Sequence, residues 1–475
     1  QAHYETLAAM PGVEQRRMWT RAYRQELIGP HLVGVVGPIP LEEVDWWRAQ
    51  GYDGDEIVGR MGLERWGEPF LAGKPGAQLA IVTPQGRQVA ILASKPPQES
   101  SSLHATFDRQ FQKEVQDILG EQVGAIAVLE ANTGRVLALA TYPTFDPRPL
   151  AAGMSEQDWS ALEDDPGRPL VNRATQGVYP AGSVFKIVTM AAGMEAGGLT
   201  KDSGFTCHGT WTGLGPELPK RCWLSSGHGQ IPLGKALTVS CDITFYQVGV
   251  MLNDLNPEVL PDYARRFGLG ARTGVQLEEE AGLVPSPSWK IRAKGEGWAT
   301  GDAVNLSIGQ SELLTTPLQI AAMLAAVGNG GTVYRPSIVE MIASDPDNPD
   351  WVLEPVAVAQ LPVSEENLAV IQASLHGVTS APNGTAYEAF EGFGLPVAGK
   401  TGTAESGRGE PHAWFAGYAP ASQPEIAIAV IVEYGGGAAE RAAPLFRRVT
   451  EAYFGNVLAS RATATPPPVG TPSTP

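Results

Sequence analysis

Three cysteines in 475 residues, Cys207, Cys222 and Cys241, are too few and odd in number to form a disulfide framework. Positive charge is also scarce: 34 Lys and Arg stand against 51 Asp and Glu, a net charge of -17. Nucleic-acid binding needs a positive field that displaces phosphate counterions, so that class is set aside. No run of 18 or more apolar residues occurs, and nothing reads as a membrane span. The chain opens on Gln1 instead of Met, and the expectation is that any signal peptide or anchor is absent from it or was removed. What remains is an ordinary globular composition, 43% hydrophobic and 18% charged, broken into many turns by 55 glycines and 39 prolines. A chain of this length has room for two or three domains and a large core.

Residues 1–105 read as a first region with no catalytic signature. It holds an apolar stretch at 33–38, an acidic helix-like stretch at 41–47, a glycine-punctuated segment from Gly59 to Gly73, and strand-like alternation at 77–82 and 88–92. A polar run, 96–102, reads as a linker. Thr106 then offers an N-cap to a helix over 107–119, where Phe107, Phe111, Val115 and Ile118 recur at helical spacing. Apolar segments 125–130 and 135–140 flank Asn132-Thr133-Gly134 and predict a hairpin. The region 183–375 is helix-rich, as at 317–327, and strands return at 395–404, 412–418 and 425–434 before a last helix over 442–454. Strands at both ends enclosing helices predict one α+β domain over 106–458, its sheet completed by the C-terminal strands. Residues 459–475, rich in Thr, Pro and Ala, read as a disordered tail.

The chemistry centres on Tyr179-Pro180-Ala181-Gly182-Ser183-Val184-Phe185-Lys186, a turn that runs into an apolar, helix-length segment. On a helix Ser183 and Lys186 share a face. A lysine half-buried under an apolar run can have its pKa lowered enough to take the serine's proton. Ser-x-x-Lys alone is common. Two further segments change its weight: Ser240-Cys241-Asp242, and Lys400-Thr401-Gly402-Thr403 after the strand-like Pro396-Val397-Ala398. Together, in that order, with the last on a strand near the end of an α+β domain, they form a constellation that chance explains poorly.

At this point the chain resembles the class B penicillin-binding proteins, the D,D-transpeptidases that cross-link peptidoglycan. The likeness runs from about residue 30 to 456 and includes Asn172-Arg173-Ala174, Gly309-Gln310, Thr316-Pro317-Leu318-Gln319 and Trp414-Phe415-Ala416-Gly417-Tyr418-Ala419-Pro420. Gly62-Leu63-Glu64 looks like part of that family's N-terminal pedestal. Gly227-His228-Gly229 and the Ser-x-Asp second motif look most like its elongation-specific branch. The resemblance implies the penicillin-binding transpeptidase fold: a central antiparallel sheet flanked by helices, a helical subdomain and an extended N-terminal pedestal. It implies that Ser183 attacks the carbonyl between two D-alanines, that Lys186 accepts its proton, and that Ser240, bridging Lys186 and Lys400, relays it. The backbone N–H groups of Ser183 and Thr403 would form an oxyanion hole, and Lys400, Thr401 and Thr403, with Gly402 between them, would hold the substrate's terminal carboxylate. Much of the family has Asn where this chain has Asp242, so an amide-donor role there is in doubt.

The implied partners are peptidoglycan stem peptides, β-lactams, a membrane glycan polymerase of the SEDS (shape, elongation, division and sporulation) family and a shape-determining scaffold. The implied location is the extracytoplasmic face of the bacterial cytoplasmic membrane. Rival readings are a β-lactamase or β-lactam sensor, and a wall-synthesis scaffold with a vestigial site. Cys207, Cys222, His228 and Cys241 make a Cys3His set of the kind that holds structural zinc; the alternative is a disulfide between Cys207 and Cys222 with Cys241 merely buried, and His208 is a second choice for His228. Trp211, Trp223, Trp414 and Phe415 read as core more than groove lining. Glu405 and His412 read as exposed loop residues, and Glu278-Glu279-Glu280 as a solvated face.

Overall fold

The computed structural model describes residues 10, 21–24, 26–85, 87–407 and 409–463. Five antiparallel strands form the main sheet. In chain order they are β1 (Gly124–Glu130), β2 (Val136–Tyr142), β3 (Ala398–Ala404), β4 (His412–Ala419) and β5 (Ile426–Val432); across the sheet the order is β3-β4-β5-β1-β2. The C-terminal strands thus complete a sheet begun by the first hairpin, Val430 lying opposite Ile126.

Both faces of this sheet are covered, so its strands other than β3 are mostly apolar instead of alternating with polar residues. Ile126, Val128, Phe415, Ile428 and Val430 pack with Phe111 and Val115 of α1 (Arg109–Leu119) and with Phe446 and Val449 of the closing helix, α6 (Ala438–Thr463). The alternate residues Ala125, Ala127, Trp414, Ala416, Ala427 and Ala429 face a second core. That core holds α2 (Lys186–Glu195), α3 (Asp242–Leu255), α4 (Pro317–Gly328) and α5 (Glu365–Ser380). The small side chains on this face let α4 lie close against the sheet. α4 itself is capped by Thr316, whose hydroxyl accepts from Gln319 N while Gln319 Oε1 accepts from Thr316 N.

The first region is built of short pieces. Strand Val35–Pro38 pairs with Ile57–Met61, helix Gly62–Leu71 packs beneath them, and Ala77–Val82 pairs with Gln88–Lys95 as a hairpin. The second strand of this hairpin is three residues longer than the alternation predicts.

Several boundaries differ from the sequence expectations. Asp108, not Thr106, caps α1: its carboxylate accepts from Phe111 N at 2.8 Å, because the Thr106 hydroxyl is occupied donating to Val136 O at 2.6 Å. The linker 96–102 gives way to a strand, Ser102–Ala105, that pairs with Val339–Ala343. The closing helix begins at Ala438, four residues early, and runs to Thr463, into the segment expected to be disordered; Ala459-Ser460-Arg461-Ala462 contains no proline and suits a helix. The rest of that expected tail, 464–475, lies outside the described residues. Among the described residues no helix is long and apolar enough to cross a membrane.

Candidate active site

The segment that carries Ser183 is divided. Gly182–Phe185 form a 3-10 turn and α2 begins at Lys186, so Ser183 sits on a tight turn at the helix entrance. Gly182 makes this turn feasible: its φ is 53°, and a Cβ there would stand 2.7 Å from Thr403 O. The turn is tied down from three sides. Gly182 N donates to Gly309 O at 2.9 Å, Trp414 Nε1 donates to Pro180 O at 3.0 Å, and Tyr179 OH donates to Glu433 Oε1 at 2.7 Å. Glu433 Oε1 also takes Arg173 Nε at 2.8 Å, an ion pair largely shut off from water.

Lys186 is fully buried, not half-buried. Its Nζ lies 2.6 Å from Asp242 Oδ1, 2.9 Å from Ser240 O and 3.1 Å from Ser240 Oγ. As an ammonium it fills three acceptors; as an amine it would accept from the Ser240 hydroxyl across the same 3.1 Å contact. The other carboxylate oxygen of Asp242 accepts from Trp223 N at 2.9 Å. Asp242 therefore acts only as an acceptor, fixing a lysine and a backbone amide. Ser240 holds a left-handed backbone, φ 56°, which a serine adopts at a cost of roughly 1–3 kcal/mol when the surroundings enforce it.

Lys400 comes from β3, also fully buried. Burial holds its ammonium well below the usual lysine range; the charge on Lys186 pushes the same way, and Asp242 opposes them. Its Nζ donates to Thr401 O at 3.0 Å, so the hydroxyl of Ser240 meets Lys186 while Lys400 turns to its own strand. That departs from a serine shared by both lysines. The second contact of Lys400 Nζ is also on its own strand, with Thr401 Oγ1 at 3.5 Å.

β3 is an edge strand, and Thr403 turns its peptide outward. Thr403 O accepts from Gln310 Nε2 at 3.1 Å, and because a strand residue points N–H and C=O the same way, Thr403 N–H faces outward too. Gln310 Oε1 accepts from Glu405 N at 3.2 Å, so one side-chain amide closes the end of the edge. Gln310 enters the sequence reading only within the Gly309-Gln310 pair of the family likeness, with no role assigned; its neighbour Gly309, φ 72°, packs against Gly182. Ser183, Ser240, Asp242, Thr401 and Thr403 line one cleft of about 880 Å³, a volume suited to a peptide-sized ligand.

Beside the cleft, Cys207, Cys222, His228 and Cys241 offer four donor atoms that all lie within 4.8 Å of one another. Cys207 and His228 are brought together by antiparallel pairing of Gly204–Cys207 with Gly229–Pro232. Cys222 follows the short strand Lys220–Arg221, and Cys241 is the N-cap of α3. All three thiols are free and buried, so the alternative disulfide is not formed. His228 Nδ1 lies 3.6 Å from both Cys207 Sγ and Cys222 Sγ. A hydrogen bond within the Cys222–Cys241 pair pushes Cys222 down and Cys241 up, so one thiol ionises readily. His208 is exposed and outside the cluster.

Other candidates are placed differently. Trp414 and Phe415 are core, Trp211 packs on Tyr246, and Trp223 is 59% exposed and lines the cleft. His412 is no loop residue. It starts β4, is buried, and its Nδ1 accepts from Tyr434 N at 3.1 Å. Glu405 is an exposed loop residue, as expected, and also lines the cleft. The acidic run is not merely solvated, since Glu278 accepts from Gly62 N and Glu279 from Thr273 N and Gly274 N, stitching loops together.

Comparison with known proteins agrees with this geometry. Residues 124–451 match the penicillin binding protein transpeptidase domain, and residues 1–105 the penicillin-binding protein dimerisation domain. The peptidoglycan D,D-transpeptidase MrdA of Salmonella typhimurium is 32% identical over 439 residues, 86% of this chain and 67% of that protein. The structure is similar to that of the penicillin-binding protein PBP2 from Helicobacter pylori in complex with MreC, with a TM-score of 0.85 and 28% identity over 95% of this chain and 82% of that one. It is also similar to penicillin-binding protein A of Mycobacterium tuberculosis as an imipenem acyl-enzyme, with a TM-score of 0.65 and 30% identity over 76% of this chain and 80% of that one. The chain belongs to the penicillin-binding protein transpeptidases, in the form that carries a dimerisation domain ahead of the transpeptidase domain.

Proposed function

We propose that this protein is a peptidoglycan D,D-transpeptidase of cell-wall elongation that works through an acyl-enzyme on Ser183 and is covalently inhibited by β-lactams. One observation carries the reading: a serine on a tight turn lines the same cleft as Ser240, Asp242 and the outward edge of β3, with Lys186 and Lys400 buried. Ser183 Oγ attacks the carbonyl between the two D-alanines, and its proton passes to Lys186 once that group is an amine, with the Ser240 hydroxyl as relay to the leaving nitrogen. The N–H groups of Ser183 and Thr403 receive the oxyanion, about 3–4 kcal/mol per donor. Thr401 and Thr403, with the Lys400 charge beneath, hold the terminal carboxylate. The terminal D-alanine leaves, and an amine from a neighbouring stem peptide resolves the ester. Residues 1–105 serve as the pedestal and 106–458 as the catalytic unit. A shape-determining scaffold and a SEDS-family polymerase are the proposed partners, at the extracytoplasmic face of the membrane.

The cysteine cluster fits zinc. Tetrahedral bonds of about 2.3 Å to sulfur and about 2.0–2.1 Å to nitrogen set sulfur–nitrogen edges of about 3.5 Å, close to the 3.6 Å from His228 Nδ1 to two thiols. Its role is structural: Cys241 stands between Ser240 and Asp242, so a bound ion would steady both.

Intact mass after incubation with benzylpenicillin tests the reading, with zinc measured on the same sample. Wild type should gain one stable adduct that Ser183→Ala lacks, with about one zinc per chain. Full labelling of Ser183→Ala, or rapid turnover of penicillin without an adduct, would refute the transpeptidase assignment.

A further inference from the structure

One cation among the described residues that line the cleft has no assigned task. Among the described residues lining it, Arg221 is the only basic side chain, while Asp242, Glu405 and Glu440 supply negative charge. The Arg221 guanidinium makes no hydrogen bond or ion pair with any described residue, although acids outnumber bases in this protein by 51 to 34. Asp242 instead accepts from Lys186 with one oxygen and from Trp223 N with the other.

The backbone beneath this free head is held firmly. Arg221 O accepts from Tyr246 OH at 3.2 Å, and Arg221 pairs across the strand with Thr210. The next residue, Cys222, donates its N–H to Gly209 O at 2.9 Å and belongs to the cysteine cluster. Trp223 is pinned twice, by N–H to Asp242 and by Nε1 to Val239 O at 3.0 Å. On the other side Lys220 Nζ is committed to Asn305 Oδ1 at 2.9 Å. A guanidinium with unused donors on so rigid a mount is prepared for an anion, and its planar fork suits a carboxylate.

We infer that Arg221 is a specificity-determining residue that binds a side-chain carboxylate of the donor peptide, on the N-terminal side of the scissile bond. This rests on the acyl transfer proposed above, in which the peptide's terminal carboxylate lies at the β3 edge. Arg221 is mounted beside Trp223 on the segment tied to Tyr246 and Asp242 and not on β3, so the carboxylate assigned to it is a different one.

Two penicillins with a common nucleus test this: carbenicillin, whose side chain carries a carboxylate, and benzylpenicillin, whose side chain does not. The quantity read is the ratio of their second-order acylation constants at Ser183, which divides out any loss common to both. Arg221→Glu should lower the carbenicillin-to-benzylpenicillin ratio about tenfold, as expected for losing a charge-assisted bond and gaining a repulsion. Arg221→Lys, which keeps the charge without the fork, should fall between, and added salt should shrink the difference. A ratio that stays within about twofold in Arg221→Glu overturns the inference while leaving the transpeptidase reading intact. Failure of both penicillins to acylate wild type would instead remove the reading on which it rests.

Discussion

Asp242 is where the chemistry of one side chain can be isolated. It accepts from Lys186 with one oxygen and from Trp223 N with the other. An asparagine keeps one acceptor and turns an NH2 toward the second donor, leaving that donor unanswered at a cost of about 1–3 kcal/mol. Asp242→Asn should therefore slow acylation by benzylpenicillin about tenfold or more. The pH dependence has a definite sign. The Asp242 charge raises the pKa of Lys400 against burial and against Lys186. Its removal lowers that pKa further, Lys400 stays deprotonated to lower pH, and any limb of the rate profile governed by Lys400 moves toward acid. Acylation rates from pH 5 to 9 on wild type and Asp242→Asn give the comparison; an alkaline shift would contradict this electrostatic account.

The edge of β3 is the element on which the site depends, and Gln310 is the device that ends it. Its amide takes Thr403 O and Glu405 N, which leaves the Thr403 N–H as the outward donor next to Ser183. Gln310→Ala frees both groups and lets the edge move. The expected outcome is a fall of about tenfold or more in the limiting acylation rate, with the preceding noncovalent affinity within about threefold, as resolved by stopped-flow over a range of penicillin concentrations. Equal loss in both constants would point to a general disturbance of the cleft. At this scale much was legible from sequence. The hairpin, α4 and the three C-terminal strands follow from apolar runs and from Gly and Pro punctuation. Less legible were places where tertiary neighbours matter: Thr106 spends its hydroxyl on Val136 O and yields the cap to Asp108, and 182–185 close as a 3-10 turn in which a Cβ at Gly182 would stand 2.7 Å from Thr403 O.

In the whole molecule the segment leading to the Ser183 turn is held to the end of β5 by Arg173, Tyr179 and Glu433, a largely buried charged group. Arg173 is only 7% exposed, so removing its counter-charge strands a buried cation. Glu433→Gln should reduce unfolding free energy by about 3–5 kcal/mol, read as a lower urea midpoint with unchanged slope. An unaltered midpoint would mean that water already solvates the pair. The sequence by itself determined the candidates: a serine three residues from a lysine, Ser240 and Asp242, Lys400 to Thr403, and a Cys3His set, because each motif is local and its chemistry follows from residue type. It did not reveal Arg221 or Gln310 as working residues, nor that His412 is buried and Glu278 and Glu279 are engaged. Those follow from which groups the fold brings together and which, like the Arg221 guanidinium, meet no described residue. Only the folded chain decides that, because burial and the pairing of charges depend on distance in space, which spacing along the sequence does not record.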